Sequence, residues 1–259
     1  MAATSITFDP LDPKFQAKKE YPPDKEKLWK HAPESDGWMH AHNAIRADML
    51  GLQECMKAIQ SRGGKLQAWE VTALQQVFDV HYAFVHEHHH SEDEMLTPKM
   101  EERINYPNKL TSDHVGIVEA LESLKKNVHS LKEADDVEAK MTILVADMES
   151  YAEDLKAHLH EEEEIGLPLL RAYFDPQEYA KISEEIMKNA PPLELGSFIH
   201  AMGVKRFRSE FMKQEGIPFF VWYLAFAGNV KAFEKQVVVP AEALKTGVAS
   251  LPPKSLMGC

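Results

Sequence analysis

His158-Leu159-His160-Glu161-Glu162-Glu163-Glu164-Ile165-Gly166-Leu167-Pro168 decides the fold. A near-copy, His88-His89-His90-Ser91-Glu92-Asp93-Glu94-Met95-Leu96-Thr97-Pro98, stands 70 residues earlier, and two His, two Glu and the Pro coincide at that offset. Each copy holds a His and a carboxylate four residues apart. On a helix those positions share a face, so one helix offers an imidazole nitrogen and a carboxylate oxygen to the same ion. Two such helices facing each other can hold two metal ions with shared carboxylates, as in bundle-core di-iron sites. A lone His-x3-Glu on an acidic helix is usually a solvated face. The duplication and its phase against the apolar residues raise the metal reading above that.

Each run admits several pairings: His88/Glu92, His89/Asp93 or His90/Glu94, and His158/Glu162 or His160/Glu164. The apolar seams choose between them. The later helix reads Leu144, Met148, Tyr151, Leu155, His158, Glu162, Ile165, Leu169, in alternating steps of four and three that mark a bundle seam. His160 falls roughly 200° around from His158 at about 100° per residue, on a polar face. The earlier helix reads Leu74, Val77, His81, Phe84, His88, Glu92, Met95. His88/Glu92 and His158/Glu162 are therefore expected inside. His89, His90, His160, Glu94 and Glu164 are expected to face water or to stand behind the ligands.

Two further helices complete an up-and-down four-helix bundle in an all-α chain. One starts at Asp36, a capping residue, follows the seam Trp38, His42, Ile45, Met49, Leu52, Met56, Ile59, and ends at Gly63-Gly64. The other follows Leu110, His114, Ile117, Leu121, Leu124, Val128, Leu131, with Thr111-Ser112-Asp113 as capping candidates. Short turns make neighbours antiparallel. Counted from those turns, His42, His88, His114 and His158 all stand about 20 to 24 residues up at 1.5 Å per residue, near one end of the bundle. So many desolvated polar groups at one level are costly without an ion. Imidazole with shared carboxylate and no thiolate suits iron, manganese or zinc.

Around the bundle (residues 36–175), residues 1–35 read as an extended arm rich in Pro, Lys and Asp, laid over the surface or partly disordered. Residues 176–247 read as a C-terminal helical region packed on the bundle, opened by Asp175-Pro176 and broken at Pro191-Pro192. Residues 248–259 read as an irregular tail, with irregularity setting in from Val238. The apolar stretch Ile217–Ala227 is too short to span a bilayer; it is expected as a buried helix over the bundle, or as a homodimer surface. The net charge of −12 argues against nucleic acid or an anionic membrane as partner. Two cysteines, Cys55 and Cys259, give no disulfide framework and no cysteine-rich zinc site. With no apolar signal core at the N-terminus, the expected compartment is reducing and cytoplasmic.

The run His42-Asn43-Ala44-Ile45-Arg46-Ala47-Asp48, the two His-x3-Glu tracts with Pro ten residues after the His, and His114 between them resemble the hemerythrin-like (HHE cation-binding) family over roughly residues 36–175. In motif style the tracts are most similar to the hemerythrin domains of plant iron-sensing ubiquitin ligases, without the cysteines for their RING module. The resemblance implies two non-haem iron ions, oxo- or hydroxo-bridged. Glu92 and Glu162 would bridge them, with His42, His88, His114 and His158 terminal, and O2 or another small diatomic ligand as partner. The oxygen carriers of the family place a second His four residues after the one on the third helix; here that residue is Val118. This puts reversible oxygen transport in doubt. It favours iron or oxygen sensing, or a di-iron oxidoreductase acting on peroxide, nitric oxide or another small substrate; whether the chain is an enzyme, and through which residues, stays open. His81, Tyr151, His89 and Glu119 are expected behind the ligands. His81 and Tyr151, about 10 Å down the core, are either a buried hydrogen-bonded pair or a proton or electron relay.

Overall fold

The computed structural model describes residues 8–249. Among these residues are eight helices and no strand. Helix α1 is Gly37–Arg62, and the Asp36 carboxylate accepts from the Trp38 amide at its start. It stops where Gly63 and Gly64 take φ of 63° and 79°, a conformation that costs other residues a clash at Cβ. Helix α2 is Ala68–Ser91 and runs on through a π-helical turn, Glu92–Leu96, to a last segment, Thr97–Glu101. Helix α3 is Asn108–His129. Helix α4 is Val137–Glu161, continued by the π turn Glu162–Gly166 and the segment Leu167–Tyr173. These four form the bundle.

The two lower turns are tied together: Leu66 N–H donates to Asp135 O (3.0 Å) and Val137 N–H to Gly64 O (3.1 Å). Both hairpins therefore start from the same level, and residues equally far up them meet. At the other end α3 begins directly after Pro107, earlier than Thr111-Ser112-Asp113 suggests. The Thr111 and Ser112 hydroxyls donate back to Asn108 O and Lys109 O inside the helix instead.

The two π turns of the bundle each precede a proline. Pro98 and Pro168 have no N–H, and a proline ring collides with the carbonyl four residues back in a regular α-helix. The helix widens just before each of them, so that Thr97 N–H reaches Glu92 O and Leu167 N–H reaches Glu162 O, five residues back. The extra residue shifts the buried phase. Leu96 is buried where the seam predicts Met95, and Gly166 where it predicts Ile165; Met95 and Ile165 are only half-buried. The same device recurs at Pro240, two residues past the π turn Glu234–Val238. The chain is thus helical through Thr246, which corrects the expectation of irregular structure from Val238. The tail residues 250–259 lie outside the described residues.

Two apolar layers sandwich the upper bundle. The long core below runs from Ile59, Leu74 and Leu124 up to Phe84, Leu155 and Leu159. Above, Leu96, Met100, Leu110, Leu167 and Tyr173 pack with Phe15 and Trp29 of the N-terminal segment. That segment is a packed cover: Arg171, itself buried, pairs with Glu26 (2.9 Å), stacks on Trp29 and donates to His31 O.

Four more helices follow: α5 (Pro176–Asn189), α6 (Pro192–Met202), α7 (Val204–Arg206, Phe207–Phe211, Met212–Gln214) and α8 (Trp222–Phe226, Ala227–Phe233, Glu234–Val238, Val239–Thr246). The end of α8 lies along α1 and α2, where Arg62 donates to Leu244 O (2.8 Å) and Gln76 to Gln236 O (2.7 Å). Helix α6 meets α1 through Ser197 Oγ, which donates to Asp48 Oδ2 (2.6 Å). It meets α8 at Gly196, where a Cβ would lie 2.6 Å from Asn229 O. The stretch Ile217–Ala227 is half covered. Trp222 and Phe226 are buried against α6 and α7, while Phe219, Phe220, Tyr223 and Leu224 are exposed, so it does not lie wholly beneath the surface as expected. Among the described residues no helix is long and apolar enough to cross a membrane.

Candidate metal centre

His42 on α1, His88 and Glu92 on α2, His114 on α3 and His158 and Glu162 on α4 converge between the two apolar layers, and all six are buried. Their donors fall into two sets. His42, His88, Glu92 and Glu162 form one, and His89, His114 and His158 the other; within each set the donor atoms lie within 4.8 Å of one another. The carboxylates face both. Glu92 Oε1 is 3.3 Å from His88 Nε2 and 3.9 Å from His42 Nε2, while Oε2 is 3.7 Å from His114 Nε2. Glu162 Oε2 is 3.4 Å from His42 Nε2, while Oε1 is 3.4 Å from His158 Nε2 and 3.6 Å from His114 Nε2.

These separations are long for hydrogen bonds. Two donors each about 2.1 Å from one ion stand roughly 3.0 to 3.4 Å apart for right-angled to tetrahedral coordination. Nine buried atoms here lack any hydrogen-bond partner: Nε2 of His42, His88 and His114, both ring nitrogens of His89 and of His158, and one oxygen each of Glu92 and Glu162. Native interiors tolerate few such groups. Clustered and aimed at one another, they fit an inorganic cation.

The outer nitrogens are held by acids. His42 Nδ1 is 3.0 Å from Glu163 Oε1, which also accepts from Arg46 (2.6 Å), and His114 Nδ1 is 2.9 Å from Asp93 Oδ1. A carboxylate behind an imidazole fixes its tautomer and turns Nε2 inward, as behind metal-bound histidines. The Trp38 indole N–H donates to Glu92 Oε1 (2.6 Å). Gly166 allows this packing, since a Cβ there would lie 3.0 Å from the Tyr106 hydroxyl and 3.1 Å from the Trp38 ring.

A match to the model of the hemerythrin HHE cation-binding domain covers residues 34–170. The chain belongs to the hemerythrin family. No curated protein and no solved structure matches it. The matched span of this hemerythrin-family chain contains every donor named above, whereas α5 to α8 lie beyond it.

Two expectations about individual residues need correction. His89, expected facing water or behind the ligands, is buried beside His114 and His158, with its ring stacked on that of His114 at 4.4 Å. His89 turns toward α3 and α4 and away from solvent. Val71, Phe78 and Val85 form a second buried stripe that leads to His89. That stripe was visible in the sequence; the single-seam reading passed over it. Glu119, by contrast, is on the exposed side of α3, so it does not stand behind the ligands. His89 thus offers an imidazole beside His114 and His158, where Val118 offers none. His90, His160, Glu94 and Glu164 are exposed, as their phase predicts.

The charges follow from burial and proximity. Burial pushes the imidazoles of His88 and His89 well below their ordinary range, and neighbouring histidines push the same way. Burial opposes a charge on His42 too, but Glu162, Glu163 and Glu92 together outweigh it and raise its pKa to about 10. Glu92 is raised to about 7 by burial and by the charge of Glu162. Burial likewise opposes the charge on Glu162, but His114, His42 and His158 overcome it and hold that acid well below the usual carboxylate range. Protons and cations thus compete for the same lone pairs.

Farther down the core His81 Nε2 and the Tyr151 hydroxyl share a 3.0 Å hydrogen bond, both side chains being buried. Burial lowers the His81 pKa to about 4, so the folded protein keeps it neutral where an unfolded chain takes up a proton near 6.5. The depressed value means that stability is lost as pH falls from about 6.5 to about 4, by on the order of 3 kcal/mol at about 1.4 kcal/mol per pH unit. The variant His81→Gln, which keeps an amide toward Tyr151 but cannot titrate, is expected to lose correspondingly less stability across that window. Urea unfolding at pH 7 and pH 4.5 measures it, and parallel losses in the two proteins would show that His81 is not held neutral.

Proposed function

We propose that this hemerythrin-family protein is a non-haem di-iron protein that binds O2 or a related small diatomic ligand in an iron- or oxygen-responsive role. One ion would be held by His42 and His88, the other by His89, His114 and His158, with Glu92 and Glu162 shared. The observation that carries the reading is that each of the two carboxylates turns one oxygen toward each histidine set. The donor set is imidazole and carboxylate without thiolate, which suits iron. When bound, the pair supplies one-electron redox steps and an open position for an exogenous ligand. The chain's own residues do the rest. Glu163 and Asp93 orient the imidazoles, Trp38 orients Glu92, and the two apolar layers exclude bulk water.

With three histidines on one ion and two on the other, the more open position would lie at His42 and His88. This favours a ligand-binding role, reversible carriage included, over a saturated storage site. Metal analysis of the purified full chain, joined to its optical spectrum under nitrogen and in air, tests the reading. About two irons per chain and a spectrum that changes with oxygen are expected, as is a higher melting temperature than for chelated protein. One metal per chain, or zinc with no response to oxygen, would sink it.

A further inference from the structure

The C-terminal helices also build a chamber. Between α1 and α2 on one side and α5, α6 and α7 on the other lies a cavity of about 100 Å³. Its bundle wall includes Trp38, Phe84, His88 and Glu92, and its outer wall Ile186, Leu195, Phe198 and Phe211. We propose that this cavity is a binding pocket for a small uncharged organic molecule, a short branched chain bearing one hydroxyl or carbonyl, seated beside the two-histidine metal position. The proposal deepens the di-iron reading and rests on it for that neighbour.

Size and lining bound the ligand. A water needs roughly 10 to 15 Å³ of such space, and a cavity of about 150 Å³ holds benzene. At about 100 Å³ the chamber is several times too large for a diatomic molecule alone but smaller than a benzene-sized cavity, so it fits a short branched chain and not a ring. Most of its wall is apolar, which disfavours ions. Besides His88 and Glu92, its polar contributions are Ser91, Tyr179, Ser183 and Glu194. One carboxylate oxygen of Glu194 is buried without a hydrogen-bond partner. Burial, with Glu87 adding, raises that acid to about 8, so it stands protonated at neutral pH as a donor for a ligand oxygen.

Position sets the chemistry. His88 and Glu92 line the cavity, whereas His89, His114 and His158 do not. The chamber therefore abuts only the donor set with two imidazoles, where a ligand has room to approach. Its outer wall comes from α5 to α7, beyond the matched residues 34–170. The pocket is this chain's own addition to the bundle.

The test uses the full chain, with iron content measured first. 2-Propanol and acetone are titrated in, and binding is read by saturation-transfer NMR. Both probes are expected to bind, and 2-propanol is expected to shift the optical spectrum of the iron-loaded protein. Ser183→Phe, which fills the chamber, should weaken 2-propanol by about tenfold or more with iron content unchanged. Should that variant fail to fold, Phe198→Ala enlarges the chamber and should admit phenol, which the parent protein refuses. The pocket is overturned by absence of binding in iron-replete protein, or by equal 2-propanol affinity in Ser183→Phe. It is equally overturned by refusal of phenol in Phe198→Ala, and its placement by 2-propanol binding that leaves the iron spectrum unmoved. Low iron content with intact 2-propanol binding overturns the di-iron reading and not the pocket.

Discussion

Glu162→Gln is expected to bring the iron content from about two per chain to well under one, and Glu92→Gln to do the same. Each carboxylate faces both donor sets, so the amide, with one oxygen left and an NH2 that cannot ligate, can serve one ion only and removes a negative charge from a buried site. Losing an outer acid behind a metal-bound histidine typically costs 10- to 100-fold in affinity, and losing a shared ligand should cost more. The amide keeps side-chain volume, which separates metal loss from collapse of the core. Glu164→Gln and Glu94→Gln make the contrast: both are exposed, and Glu164 meets only His160 at the surface (3.4 Å). They are expected to keep full iron. Glu163→Gln falls between, because it leaves the donor atoms in place but frees Nδ1 of His42. Elemental analysis of the purified variants measures all five. Equal loss in Glu162→Gln and Glu164→Gln would mean that the inward register is wrong.

The register was legible before any coordinates because the seam steps of α4 admit His158 and Glu162 and leave His160 outside. The common height of the four expected histidines was legible too, since both hairpins start from short turns that lie side by side. What the periodicity misplaced has local causes. The π turns at Glu92–Leu96 and Glu162–Gly166 shift the phase by one residue beyond each carboxylate, so Met95 and Ile165 fall where Leu96 and Gly166 belong. Pro98 and Pro168 advertised a disturbance, but a bend and a widened turn have the same sequence signature. The orienting acids were hidden in plain view. Asp93 and Glu163 occupy equivalent places in the duplicated tract, each directly after a shared carboxylate, and each reaches the histidine of a neighbouring helix. They looked like more of an acidic surface run. The chamber beside His88 could not be read at all. It arises from α5, α6 and α7 folding back on α1 and α2, and no local pattern reports such a long-range contact.

His89→Ala is expected to lower the iron content from about two per chain to about one, while His90→Ala leaves it unchanged. The two residues are neighbours in a run of three histidines, yet His89 is 2% exposed and His90 faces water. Both ring nitrogens of His89 lack a protein partner. An imidazole buried that way is costly unless an ion takes one lone pair. Without it the second donor set keeps His114, His158 and one oxygen from each shared carboxylate, and so loses one ligand of five. The first set keeps all of its donors, which is why the loss should stop near one iron. A rescue sharpens the test. Val118 stands four residues after His114 on α3, on nearly the same face, so Val118→His placed in the His89→Ala background offers a third imidazole from another direction. Recovery of the second iron in the double variant, but not in His89→Ala with Val118→Leu, would show that the position needs a third nitrogen rather than that particular side chain. If His89→Ala instead retains two irons and an unchanged spectrum in air, His89 is a buried packing residue. Val118 would then count against oxygen carriage.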